Sequence, residues 1–229
     1  MLFFINSYQG WDFVIVSLAY ILVILISLSL HEFGHAFVAY KCGDMTPKMQ
    51  GRVSLNPLKH IDTIGFICCA VFGFGWAKPV QFNSDNFRNI KKGIGLTSIA
   101  GIFVNLILGF FGCGFFYLTL LIRSTSIFVL FLQQFFYFLY FINICLAVFN
   151  LLPIYPLDGF KLVENYTKYD NPYVRFMYRY GSIILLVVLL FLDKILFNLI
   201  ALISTPIELF WRLFFWQKCS KISDSKDIA

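Results

Sequence analysis

Charge is scarce in this chain of 229 residues. Charged side chains make up 13% of it, against about 25% in an ordinary soluble domain. Too little polar side chain remains to cover a water-facing surface. The same shortage excludes a disordered chain and a coiled coil, both of which are rich in charge. The six cysteines contain no C-x-x-C, so no thiolate metal knuckle is indicated. Cys68 and Cys69 are neighbours and cannot easily bridge each other, while Cys113 and Cys145 sit in apolar runs and read as packing residues. A secreted disulfide scaffold is therefore not expected. No internal repeat and no low-complexity tract is visible.

What is abundant is apolar. Hydrophobic residues reach 59%, phenylalanine alone contributes 29, and mean hydropathy is +0.79. The solvent these side chains require is a bilayer. The net charge of +6 does not form a stripe suited to nucleic acid. Eight of the 18 Lys and Arg lie between Lys41 and Lys92, and four more between Lys161 and Arg179. Both segments join uncharged runs, which is how cytoplasmic loops of membrane proteins look. That pattern puts the N-terminus outside and the end of the first span at the cytoplasmic face of the cell membrane.

A helix crosses a hydrocarbon core about 30 Å thick with roughly 20 apolar residues. Phe13–Leu30, continuing to Tyr40, Gly93–Ile122 and Ser124–Leu157 qualify, the last ending near Asn150 because Pro153 and Pro156 stop a helix. After them, Tyr180–Leu192 and Ile195–Ile207 are apolar but interrupted by Asp193 and Lys194. They form either one long helix with that pair turned inward or a broken helix. The expectation is an all-α polytopic membrane protein: a core of three transmembrane helices plus one or two further C-terminal helices. In the first connection, Gly51–Leu55 has strand character, and Ile64–Trp76 is too short to span and interrupted by glycine. A short re-entrant β-like segment lining a cavity is expected there. Residues 1–203 read as one integral-membrane domain. Residues 204–229 read as an amphipathic and polar tail, with an interfacial helix over Pro206–Lys218. No basic residue precedes the N-terminal apolar run, so a cleaved signal peptide is not expected.

The first span ends in H-E-F-G-H, from His31 to His35. Histidines at i and i+4 project from one side of a helix, a spacing that lets two imidazoles hold one zinc ion. Glu32 between them is placed to take a proton from water. These ionisable groups follow 18 uncharged residues, a depth at which they are costly and usually functional. His31 lies roughly 15 Å along the helix from Lys41. Catalytic zinc takes three protein ligands. His60, in a basic loop beside Lys59 and Asp62, is one candidate for the third. Asp158, in N-L-L-P-I-Y-P-L-D-G (Asn150–Gly159), is the other: two prolines and a glycine can re-aim its carboxylate, and both motifs sit at the cytoplasmic ends of their spans.

Taken together, these motifs resemble the site-2 proteases, zinc metalloproteases that cleave within the bilayer. The resemblance runs from about Ser27 to Lys161. It includes G-R-V-S-L-N-P-L-K-H-I-D (Gly51–Asp62), G-W-A-K-P-V (Gly75–Val80) and A-G-I-F-V-N (Ala100–Asn105). It implies Zn²⁺ bound by His31, His35 and Asp158, Glu32 as catalytic base, and Asn105 as a polar group near the reacting carbonyl. Two positions depart from the family pattern: Ile102 and Tyr155 stand where proline is frequent, and neither is an implied ligand. A compact form without a PDZ or CBS domain is expected. The resemblance implies an intramembrane endopeptidase acting on transmembrane proteins, single-span substrates above all, in signal-peptide remnant clearance or regulated proteolysis with a regulatory membrane partner.

Three other readings compete. A catalytically silent pseudoprotease or chaperone would hold membrane segments without cutting them, but Glu32 and the candidate ligands are intact. A prenyl-protein protease would need a glutamate ligand, for which Glu164 and Glu208 lack the motif context. A transporter would place the polar groups along an ion path, and the lack of repeats disfavours it. Asn105, Asn143 and Asn150 are expected to mark a water route to the metal.

Overall fold

The computed structural model describes residues 9–72, 75–124, 126–168 and 170–224. Helix α1 runs Gly10–Cys42, and a short helix α2 follows over Thr46–Met49. Helix α3 covers Thr63–Phe72, and the long helices α4 and α5 cover Ile90–Leu120 and Ile127–Leu151. Helices α6 (Asp158–Tyr166), α7 (Pro172–Phe191) and α8 (Asp193–Asp224) complete the chain. Five of them, α1, α4, α5, α7 and most of α8, are long and apolar enough to cross a membrane. The chain is an all-α polytopic membrane protein, and α1, α4 and α5 form its core.

The three core helices pack because their contact faces are matched in size. On α1, Val16, Ala19, Tyr20, Val23, Ile24 and Leu28 are buried against Phe138, Leu139 and Ile142 of α5. Helix α4 presents Gly101, Asn105, Gly109 and Gly112, spaced by four, four and three, so they share one face. A side chain on Gly109 would strike Ile144, and one on Gly112 would strike the Tyr140 backbone. Small residues let membrane helices approach closely where no hydrophobic effect drives them together. One polar link crosses the apolar core: Asn143 Nδ2 donates to Ser27 Oγ at 2.8 Å. Asn143 and Asn150 also donate to their own helix, at Leu139 and Leu146, and Asn143 Oδ1 is buried without a partner.

The helix ends are set by local chemistry. Asn89, Ser126 and Asn171 cap α4, α5 and α7 by accepting backbone N–H bonds. Helix α1 stops at Gly43, whose φ of 120° suits glycine. Just beyond, the fully buried Asp44 carboxylate accepts from Thr46 N, Thr46 Oγ1, Asn86 Nδ2 and Asn83 N. Burial opposes its charge, but these four donors hold its pKa below the usual carboxylate value. Asp44 thereby fastens the end of the first connection to the end of α1.

That connection differs from expectation. No strand occurs among the described residues, and Thr63–Phe72 is a helix. Asp62 explains it: its Oδ1 accepts from Gly65 N at 2.8 Å, an N-cap bond that starts a helix despite the glycine. Gly65 is needed because Trp76 O lies where a Cβ would stand. The later apolar run is a broken helix, with Leu192 separating α7 from α8. Helix α8 passes through Pro206 without ending, as membrane helices tolerate. Residues 203 and 204 lie inside it, and residues 225–229 of the expected tail lie outside the described residues.

Candidate metal centre

Helix α1 carries His31 and His35 one turn apart on its buried side, towards α4. Helix α5 ends at Leu151, and Pro153 and Pro156 keep the chain out of a helix until α6 begins at Asp158, through a turn in which Leu157 N donates to Ile154 O at 2.8 Å. Gly159 permits this turn, since a Cβ there would stand 2.3 Å from Leu151 O. Asp158 occupies the first turn of α6, where a helix N-terminus favours negative charge.

The structure brings the three together. Asp158 Oδ2 lies 3.2 Å from His31 Nε2 and 2.9 Å from His35 Nε2, and the two Nε2 atoms are 3.1 Å apart. All three residues are buried. Each imidazole has a partner behind it. His35 Nδ1 donates to Thr97 O at 2.7 Å, which in the neutral ring leaves Nε2 as a lone pair. His31 Nδ1 lies 3.0 Å from the side-chain amide of Asn105. The amide nitrogen Nδ2 stands at that contact, with Asn105 Oδ1 buried and without a partner; the exchanged orientation of the amide would let its oxygen accept the Nδ1 proton. In that orientation, with both rings neutral, three lone pairs converge within 3.2 Å of one another. Such a group suits a bound metal cation.

Zinc fits. Ligand atoms about 2.0–2.1 Å from a tetrahedral ion stand roughly 3.3 Å from one another, close to the spacing found. Gly101 supplies the room: a Cβ there would lie 2.4 Å from His35 Nε2 and 2.5 Å from His31 Cε1. The hydrogen bonds behind the imidazoles are of the kind that fix ligand tautomer and orientation.

Glu32 is half-buried, and its Oε2 accepts from Val80 N at 3.0 Å. Asn105 is fully buried against His31, so its observed contact is with a ligand. Its expected place beside a reacting carbonyl has no further contact to support it among the described residues. His60 is not part of the group; it is fully buried in its loop, with Nε2 2.7 Å from Ser54 O. Glu164 and Glu208 are engaged by Tyr178 and Tyr140, at 2.6 Å each.

Sequence reasoning missed two partners. Lys161 Nζ donates to Asp158 Oδ1 at 2.9 Å, so the carboxylate spans the histidines and a cation. Its signal was present, because positions i and i+3 on a helix are neighbours. Thr97 acts through its backbone carbonyl and leaves no signal in residue type. Asn105→Ala should weaken zinc affinity about 10- to 100-fold, measured by competition with a calibrated chelator. Unchanged affinity would separate Asn105 from the ligand.

Comparison with known proteins agrees with this chemistry. The model of peptidase family M50 matches residues 118–192, which include Asp158 and Lys161. YwhC of Bacillus subtilis (strain 168), named as a candidate zinc metalloprotease, is 44% identical over 149 residues, covering 63% of this chain and 67% of the relative. The chain belongs to peptidase family M50. The M50 assignment makes it a membrane zinc metalloprotease of the site-2 type, with Zn²⁺ as its cofactor. Rip2 of Mycolicibacterium smegmatis, also named as a candidate zinc metalloprotease, is 33% identical over 157 residues. Rip2 of Mycobacterium tuberculosis (strain ATCC 25618 / H37Rv) is 29% identical over 153 residues. The matches cover 63% of this chain and 57% and 55% of those two relatives. No solved structure matches the chain.

Proposed function

We propose that this M50 peptidase hydrolyses peptide bonds within or near transmembrane segments of membrane proteins. The observation that carries the reading is the buried triangle of His31, His35 and Asp158 inside a bundle of apolar helices. When bound there, zinc supplies Lewis acidity to a carbonyl and acidifies a water toward a pKa of about 7.

The protein side chains do the rest. His31 and His35 are held by Asn105 and Thr97, so their lone pairs need no reorganisation. Glu32 accepts the proton of the attacking water and returns it to the leaving nitrogen. Its bond from Val80 N leaves the second carboxylate oxygen available for that exchange. Asn105 orients His31, and any stabilisation of a developing oxyanion acts in addition to that contact.

A substrate helix hides its carbonyls in its own hydrogen bonds, and opening it in lipid is costly. The extended chain around Val80, beside Glu32, offers an edge on which an opened strand can pair. An apolar cavity of about 240 Å³ lies between α1, α5, α7 and α8, lined by Tyr20, Ile24, Leu28, Ile142, Leu189 and Ile200. Leu28 is one turn from His31, so this cavity offers room near the site for apolar side chains of a substrate. The excess of Lys and Arg in the two connections supports a site near the cytoplasmic side of the cell membrane. Signal-peptide remnants and membrane-held regulators are both substrates of this chemistry, and a regulatory membrane partner would select between them.

The test is hydrolysis of a co-reconstituted single-span substrate by wild type and Glu32→Gln. Loss of a general base typically costs about 10²–10⁴ in rate, so the variant should fall by that factor while keeping its zinc. Product formed at the wild-type rate would remove Glu32 from the chemistry.

A further inference from the structure

Arg52 is almost fully buried, at 5% exposure, and among the described residues it forms no ion pair with a carboxylate. A buried cation without a counter-ion is costly unless its donors are satisfied. Its guanidinium donates instead to two backbone carbonyls: Nη1 to Lys59 O, and Nη2 to Pro79 O at 3.2 Å. The second carbonyl matters most. Pro79 C=O and Val80 N–H belong to one peptide group, and that N–H donates to Glu32 Oε2 at 3.0 Å. The bond is trans, so its C=O and N–H point in opposite directions.

One peptide unit therefore lies between a buried guanidinium and the carboxylate read above as the proton acceptor. We propose that Arg52 is a positioning residue for Glu32, acting through the Pro79–Val80 peptide. The cation polarises the carbonyl, which strengthens the N–H as a donor, since hydrogen bonds in series reinforce one another in a low-dielectric interior. The carboxylate is thereby held in one orientation beside the histidines of its own helix. The surrounding loop supports the arrangement. Lys78 N donates to His60 O at 2.8 Å, and Arg52 N donates to Pro47 O at 2.8 Å. His60 Nε2 is tied to Ser54 O, so both ends of the bridge are fixed.

This inference rests on Glu32 as proton acceptor, and its experiment separates the two. Full-length protein is reconstituted with a single-span substrate, and kcat, KM and bound zinc are measured for Arg52→Gln, Arg52→Lys and Val80→Pro. Arg52→Gln removes the charge, Arg52→Lys keeps it, and Val80→Pro deletes the bridging N–H without touching Arg52. Arg52→Gln and Val80→Pro should each lower kcat about ten-fold, the scale of one charge-assisted hydrogen bond. KM should stay within about two-fold and zinc at the wild-type level, and Arg52→Lys should recover most of the lost kcat. Wild-type kcat in Arg52→Gln overturns the proposal. So does a loss that Arg52→Lys fails to restore and Val80→Pro fails to reproduce, which would make Arg52 a loop brace only. A parallel loss of zinc also overturns it, because the effect would then lie at the ligands. Should Arg52→Gln fail to fold, Val80→Pro decides: wild-type kcat there sinks the bridge. Full activity of the Arg52→Gln variant, with the separate Glu32→Gln variant silent, refutes the bridge alone, whereas full activity of Glu32→Gln refutes the proton acceptor.

Discussion

Asp158→Ala should strip zinc from the protein and reduce hydrolysis to background. Asp158 supplies the one carboxylate of the group, and its Oδ2 faces both Nε2 atoms within 3.2 Å. Two neutral imidazoles on one helix remain after the substitution, one ligand short of a catalytic zinc site. The oxygen also supplies the negative charge that offsets the ion in an apolar surrounding. The second oxygen holds Lys161, so the same change leaves that cation unpaired next to two histidines. Elemental analysis of purified protein should give less than a tenth of the wild-type zinc, while circular dichroism keeps its helical signal. Asp158→Asn is the sharper variant, because it preserves shape and removes charge. Full zinc in both would show that Asp158 is not a ligand.

The second large effect is expected at a residue with no side chain. Gly101→Ala would place a methyl carbon 2.4 Å from His35 Nε2, 2.5 Å from His31 Cε1 and 2.7 Å from His31 Nδ1. The rings cannot simply turn away, because Thr97 O and Asn105 hold them from behind. The methyl must displace the donor atoms or push α4 from α1. Metal geometry tolerates errors of about 0.2 Å, so zinc affinity should fall more than 100-fold. Gly109→Ala is the control. Its Cβ meets Ile144 Cδ1 at 2.7 Å, the end of a flexible chain that can rotate. That variant should keep its zinc. Equal affinity in the two variants would mean that Gly101 makes no room for the ion.

These expectations show where residue order speaks plainly and where it does not. H-E-F-G-H states its own geometry, because one helical turn separates the two histidines whatever surrounds them. The three core spans were equally legible, because apolar length is what a bilayer selects. Asp158 was visible as a candidate, but only the chain path through Pro153 and Pro156 shows that its carboxylate turns toward α1. The first connection reads as β-like from the strand character of Gly51–Leu55 and from glycines at 65, 73 and 75 that disfavour a helix, yet no strand occurs among its described residues. The capping carboxylate of Asp62 outweighs the one glycine that lies inside α3. The join at Leu192 could not be chosen from sequence, since a paired Asp193 and Lys194 would suit one long helix equally well. Thr97, Val80 and Pro79 take part through backbone groups that every residue type carries, which is why no motif announces them.

The central claim is that one zinc ion is held by two imidazole nitrogens and one carboxylate oxygen. The zinc-edge X-ray absorption spectrum of purified full-length protein tests it most directly. A first shell of nitrogen and oxygen at about 2.0–2.1 Å, with imidazole scattering from two histidines, is the result expected. Asp158→Ala should abolish that signal. A sulfur shell at about 2.3 Å, or an unchanged spectrum in the variant, would contradict the assignment.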